Sequence, residues 1–263
     1  MARPLRIEYP GAWYHVMNRG RRGEKIFWSD KDYEMFLAVL KETVAMWNLE
    51  LSAFCLMSNH YHLLVHIPDG NLARCMRHLN GVYTQRFNRR HKIDGHLFRG
   101  RYRAVLIDAD SYLLEVLRYI HRNPLRAGIV EALGNYQWSS HKGYVSRAKR
   151  WDWLYKDFLL SMFAEKKSQA LKAYLDFVCR GESAEIERFY SLKNLPSVLG
   201  GEAFKDWIKQ KFQHLSFQQE IPDSRELGQE PDRIIELVCD HFGISREQMM
   251  VSRRGRENLP RDV

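Results

Sequence analysis

The chain has 263 residues, 45% hydrophobic and 13% aromatic, with 41 Lys and Arg against 32 Asp and Glu for a net charge of +9. That content supports a buried core and excludes a disordered chain, and no apolar run nears the ~18 residues needed to cross a bilayer. Residues 1–150 hold 24 basic against 13 acidic side chains, a net +11, whereas residues 151–263 hold 17 against 19, a net −2, so the first half has the charge of a polyanion binder.

Residues 12–17 read as a first strand, rich in aromatic and β-branched side chains, running into a basic glycine loop at 18–23. Ser29 or Asp30 caps a helix reaching about Trp47, with Phe36, Leu37, Leu40 and Val44 at helical spacing. Residues 49–57 form a second strand, Ser58-Asn59 a tight turn, and residues 60–67 a third strand completing a hairpin. A helix follows over about 72–90 and a fourth strand over about 97–107. Asp108 and Asp110 then cap a helix that Asn123-Pro124 ends. The order β-α-β-β-α-β plus a further helix predicts an α+β, ferredoxin-like split-βαβ fold, one antiparallel sheet with helices on one face. Aromatic residues between 135 and 156 are expected to cover an edge or the back of that sheet. The expected division is a catalytic domain at 1–160, a helical accessory region and polar linker at 161–230, and a last helical segment at 231–263.

The third strand carries the most informative pattern. In a strand, alternate side chains share a face, so His60 and His62 point the same way with Cα atoms roughly 6.5–7 Å apart. Two imidazoles at that spacing can converge on one metal ion, although an isolated His-x-His is more often incidental. In the helix after the fourth strand, Leu113, Val116, Leu117 and Ile120 form one apolar stripe, and Tyr119 lies off its middle. A helical tyrosine there is commonly an amphipathic boundary residue. The functional alternative has Tyr119 present its hydroxyl beside the histidines, with Asn123, one turn on, offering an amide oxygen as third ligand. Mixed nitrogen and oxygen ligation with open positions suits Mg2+ or Mn2+ acting on a phosphodiester, with the phenol as nucleophile. The other histidines, His15 and His66 among them, are read as packing or surface residues, with His66, on the same strand face as His60 and His62, the likeliest exception.

Arg86, Arg89, Arg90, Arg99, Arg101 and Arg103, interleaved with aromatic residues, and Arg19, Arg21 and Arg22 in the glycine loop are the expected DNA-binding set. The alternation Arg99, Arg101, Arg103 would put three guanidiniums on one strand face. The cysteines, Cys55, Cys75, Cys179 and Cys239, are scattered and fit a reducing cytoplasm, and Met1-Ala2-Arg3-Pro4 shows no signal-peptide apolar core.

"MSNHYHLLV" around His60-Tyr61-His62 and "RYIHRNPLRAG" at 118–128, with "WYHVMNRG" at 13–20 and "GHLFRGRY" at 95–102, resemble the single-tyrosine HUH transposases, in particular REP-associated tyrosine transposase-like proteins. The resemblance covers about residues 1–150. It implies a ferredoxin-like HUH endonuclease core acting in DNA transposition and recombination. It further implies Mg2+- or Mn2+-dependent cleavage of single-stranded DNA near a hairpin (a REP-like palindrome) and a 5′-phosphotyrosine link with a free 3′-OH. By that resemblance His60 and His62 are metal ligands, Tyr119 the nucleophile and Asn123 the third ligand, at a position often filled by glutamine in relatives. A monomer is expected, with a dimer left open. Residues 236–263 are similar to the start of the DNA-binding domain of the replication initiator DnaA, with Arg253, Arg254 and Arg256 around Gly255.

Three functions compete on these residues. The first is a metal-dependent single-stranded DNA endonuclease and strand transferase. The second is a non-catalytic hairpin DNA- or RNA-binding regulator. The third is a hydrolytic metallonuclease in which Tyr119 is structural.

Overall fold

In a computed structural model describing residues 7–212 and, beyond them, residues 235, 236, 238–240, 243, 245 and 246, five strands build one sheet. They are β1 (Ala12–Arg19), β2 (Glu50–Met57), β3 (His60–Ile67), β4 (Arg103–Ile107) and β5 (Val198–Leu199), in the spatial order β2-β3-β1-β4-β5. The first four pair antiparallel in the split-βαβ order; β5 joins β4 in parallel, so the sheet is mixed. The two-residue β5 carries no alternating pattern long enough to be read from sequence.

Strand alternation divides the core into two layers. Tyr61, Leu63, Val65 and Ile67 of β3 enter one cluster together with α1 (Asp30–Trp47) and α2 (Leu72–His91). Leu64 of β3 enters the other, with Leu113, Val116, Leu117 and Ile120 of α3 (Ala109–Arg126). Both faces are therefore covered, in contrast to the expected helices on one face. The apolar stripe of α3 needs a surface, and only the second face is open to it. Because both faces are buried, the strands read as nearly continuous apolar runs. The backbone N–H of Ser29 bonds the Asp32 carboxylate at 2.9 Å, which fixes the start of α1 where the sequence places it.

Two boundaries move. Regular pairing of the fourth strand starts at Arg103, not at 97, and residues 97–102 bend around a single bridge between Gly20 and Phe98. Phe98 and Tyr102 are the anchors of that bend, both buried in the first cluster. Arg99 and Arg101 therefore stand on a loop, and only Arg103 lies on the strand. Helix α3 also continues through Asn123-Pro124 to Arg126. Pro124 sits buried in the last turn, where its missing N–H forfeits one bond.

The aromatic stretch lies against the outer edge of β2: Leu56 N–H bonds the Trp138 carbonyl at 2.9 Å and the Tyr136 hydroxyl bonds the Leu56 carbonyl at 2.6 Å. Beyond α4 (His141–Val145) and α5 (Asp157–Ser161) the described residues are mainly helical, as expected. There α6 (Lys167–Cys179) and α7 (Ala184–Ser191) add Tyr174, Val178 and Ile186 to the second cluster, and α8 (Glu202–Phe212) follows β5. The polar linker lies outside the described residues, as does the DnaA-like segment apart from residues 235, 236, 238–240, 243, 245 and 246.

Candidate active site

At one end of the sheet β1, β3 and α3 enclose a cavity of about 1050 Å³, and His60, His62, Tyr119 and Asn123 all line it. The register explains the meeting: Arg19 lies opposite His60 and Met17 opposite His62, so β1 lays its basic end alongside the histidine pair. Helix α3 crosses the same face. It brings the Tyr119 ring to 6.0 Å from the His62 ring, centroid to centroid, in an edge-on arrangement.

Each histidine is tied through Nδ1. His60 Nδ1 is 2.7 Å from Asn59 Oδ1, and His62 Nδ1 is 2.9 Å from His15 Nε2. Their rings stand 5.0 Å apart and nearly perpendicular. Burial lowers the pKa of both, and for His62 the neighbouring His15, His60 and Arg126 push it further down. Both rings are therefore neutral at physiological pH, the state a metal requires. Asn123 donates its amide N–H to the Tyr119 carbonyl at 2.9 Å, which leaves Oδ1 as its acceptor end.

A divalent cation fits these donors: two neutral imidazoles with Nδ1 already engaged, leaving Nε2, and one amide oxygen, all lining the same cavity. Among the described residues no group of three or more His, Cys, Asp or Glu converges, so an all-imidazole or carboxylate set is not offered.

Of the expected DNA-binding residues, Arg19, Arg99, Arg101 and Arg103 line the cavity. Arg21 and Arg22 stand exposed in the short 3-10 turn between Arg19 and Gly23, two lining residues. Arg86, Arg89 and Arg90 do not reach it. They belong to α2 in the opposite layer, where Arg86 pairs with Glu42 at 2.9 Å and Arg90 with Asp32 at 3.3 Å. The helical period that set them near the loop arginines in sequence turns them away in space.

Sequence reasoning missed several groups here. His15, read as a packing residue, touches His62; on β1 it shares the face of Trp13 and Met17, and counting across to β3 would have found it. Arg126 lies with its guanidinium carbon 4.4 Å from the Tyr119 ring centre, seven residues along the same helix. Tyr190, Lys193 and Asn194 arrive from more than sixty positions away and carry no local signal.

The ferredoxin-like sheet, with helices on both faces, carries at one end a cavity lined by Arg19, Arg99, Arg101 and Arg103, the charge a polyanion would meet. Residues 8–123 match the model of the family described as "Transposase IS200 like". A Haemophilus influenzae protein provisionally described as a REP-associated tyrosine transposase is 28% identical over 130 residues, covering 45% of this chain and 74% of that one. A solved REP-associated tyrosine transposase bound to a REP hairpin has a TM-score of 0.48 at 18% identity, over 56% of this chain and 87% of that one. A structure provisionally assigned as a transposase, from Deinococcus radiodurans R1, has a TM-score of 0.33 at 18% identity, over 45% and 95% of the two chains. The similarity to IS200-like transposases thus runs through residues 8–123, a little under half of the chain. Among the described residues no helix is long and apolar enough to cross a membrane.

Proposed function

We propose that this protein is a metal-dependent single-stranded DNA endonuclease and strand transferase that works beside DNA hairpins of the REP type through a 5′-phosphotyrosine link to Tyr119. The observation that supports this reading is the convergence of His60, His62, Tyr119 and Asn123 on one arginine-lined cavity.

In this reading Arg19, Arg99 and Arg103 hold the phosphates on either side of the scissile bond, and their charge draws the strand in. His60, His62 and Asn123 would hold Mg2+ or Mn2+. When bound, such an ion polarises the scissile phosphate and offsets charge developing at phosphorus. The Tyr119 oxygen attacks phosphorus; a P–O bond to tyrosine forms, the P–O3′ bond breaks, the phenolic proton leaves to solvent and O3′ takes one up. The aryl phosphate retains the ester linkage, so a 3′-OH from another strand end can reverse the step and join the ends. Arg126 lies over the Tyr119 ring, a cation–π contact that helps hold the ring in place.

The test is a labelled hairpin-bearing oligonucleotide incubated with Mg2+ or Mn2+ and resolved under denaturing conditions. A covalent protein–DNA adduct is expected from the wild type and none from Tyr119→Phe. Adduct from the Phe variant would overturn the proposal, and cleavage without adduct would favour a hydrolytic site. Tight, salt-dependent hairpin binding with no cleavage would favour a regulator.

A further inference from the structure

Tyr190 lies at the end of α7, 67 positions beyond the last residue of the family match, yet it touches both halves of the site. Its hydroxyl is 2.6 Å from His15 Nδ1, and His15 Nε2 is 2.9 Å from His62 Nδ1. Its ring stacks on Tyr119 with centroids 3.9 Å apart and planes at 19°. We infer that Tyr190 is a positioning residue for the site, its hydroxyl setting the orientation and tautomer of His62 through His15 and its ring holding the nucleophile Tyr119. This rests on the metal and nucleophile roles proposed above.

The argument is one of proton counting along a buried chain. His15 is fully buried, with one ring nitrogen facing His62 and the other facing Tyr190, so its ring is neutral and carries one N–H. For His62 to offer Nε2 to a cation, its own proton must sit on Nδ1 and be donated to His15 Nε2. His15 then carries its proton on Nδ1, and a proton there requires an acceptor. Tyr190 Oη is that acceptor, the terminus of the chain. With phenylalanine at 190, His15 Nδ1–H would be left buried without a partner, an arrangement that is strongly disfavoured. The ring would relax to the other tautomer, donating from Nε2 to His62 Nδ1. His62 would then carry its proton on Nε2, the form that cannot bind a metal. Outer partners of metal-binding histidines commonly change affinity 10–100-fold when removed.

The ring makes a separate contribution. Tyr119 has the Tyr190 ring and the Arg126 guanidinium as neighbours, and both restrict where its hydroxyl can swing. A leucine at 190 removes hydroxyl and stack together.

The experiment uses the full chain with Tyr190→Phe and Tyr190→Leu. Free Mn2+ is followed by its paramagnetic resonance signal, the His62 tautomer by 15N NMR without metal, and adduct formation by single-turnover reaction with a hairpin oligonucleotide. For Tyr190→Phe we expect Mn2+ affinity weakened about tenfold or more, a rise in the Nε2–H form of His62, and an adduct rate restored by saturating Mn2+. For Tyr190→Leu a slower adduct rate persists at saturating Mn2+. The inference is overturned if the Phe variant binds Mn2+ within twofold of wild type and keeps the wild-type tautomer. It is also overturned if Phe and Leu variants behave alike at saturating metal. Wild-type protein that binds Mn2+ but forms no adduct sinks the proposed reaction without touching the His62 measurement.

Discussion

Replacing Glu182 by alanine probes whether the late helices are docked on the nucleophile helix. Its side chain is 3% exposed; one oxygen is 3.2 Å from Arg122 Nε and the other 3.8 Å from Arg126 Nε. Breaking a fully buried pair by removing one partner weakens a protein by about 3–5 kcal/mol. Here Arg122 is 17% and Arg126 36% exposed, and Arg122 keeps its bonds to the Val178 and Cys179 carbonyls, so water and backbone recover part of that loss. A loss of about 2–3 kcal/mol is expected, and at about 2–4 °C per kcal/mol for a domain of this size that is about 4–12 °C in Tm. Thermal unfolding of the full chain followed by circular dichroism reads it directly. The drop should persist in high salt, since a buried pair is poorly screened. A melting temperature within 1 °C of wild type would refute the docking of the segment 182–191 on α3, and with it the route from Tyr190 to Tyr119.

Other substitutions separate metal, DNA and backbone contributions. His62→Ala should abolish adduct formation and weaken Mn2+ binding by at least about tenfold while hairpin binding in EDTA survives; retained Mn2+ affinity would remove His62 from the ligand set. Arg99→Ala or Arg103→Ala should each lower the salt dependence of hairpin affinity by about one unit of log–log slope, whereas Arg86→Ala, on the opposite layer, should leave it unchanged. At Gly20 an added Cβ would lie 2.0 Å from the Glu24 carbonyl oxygen, so Gly20→Ala should displace the turn beside Arg19 and lower both Tm and hairpin affinity. Acid should also weaken the fold. His141 has its pKa lowered by burial to about 4, and burial holds His121 well below its ordinary value, so the unfolded chain binds more protons than the folded one. Stability present above pH 6.5 is lost as the pH falls towards 4, by about 2 kcal/mol at pH 5 from His141 alone. Urea unfolding at pH 7 and pH 5 measures it.

Much of this is legible in the sequence itself. Alternation in β3 separates His60 and His62 from Tyr61, Leu63 and Val65, and the same parity splits the core into its two layers. The stripe of α3 likewise predicts which side chains pack, leaving Tyr119 at its border. What escaped was set by long-range pairing. His15 becomes a partner of His62 only when β1 is laid beside β3 in register. β5 is two residues long, and Tyr190 owes its place to the packing of α7 rather than to any period in its own neighbourhood. The α2 arginines failed in the opposite sense, for proximity along the chain does not survive passage around a helix.

The parallel pairing of β4 with β5 has a consequence for how such proteins diversify. β5 supplies the Leu199 carbonyl that accepts the Asp108 N–H at 2.8 Å, just before the helix carrying Tyr119 begins. A gene fusion that kept the first 160 residues and exchanged the remainder would strip that flank of its neighbour, leaving bare backbone ready to join another molecule.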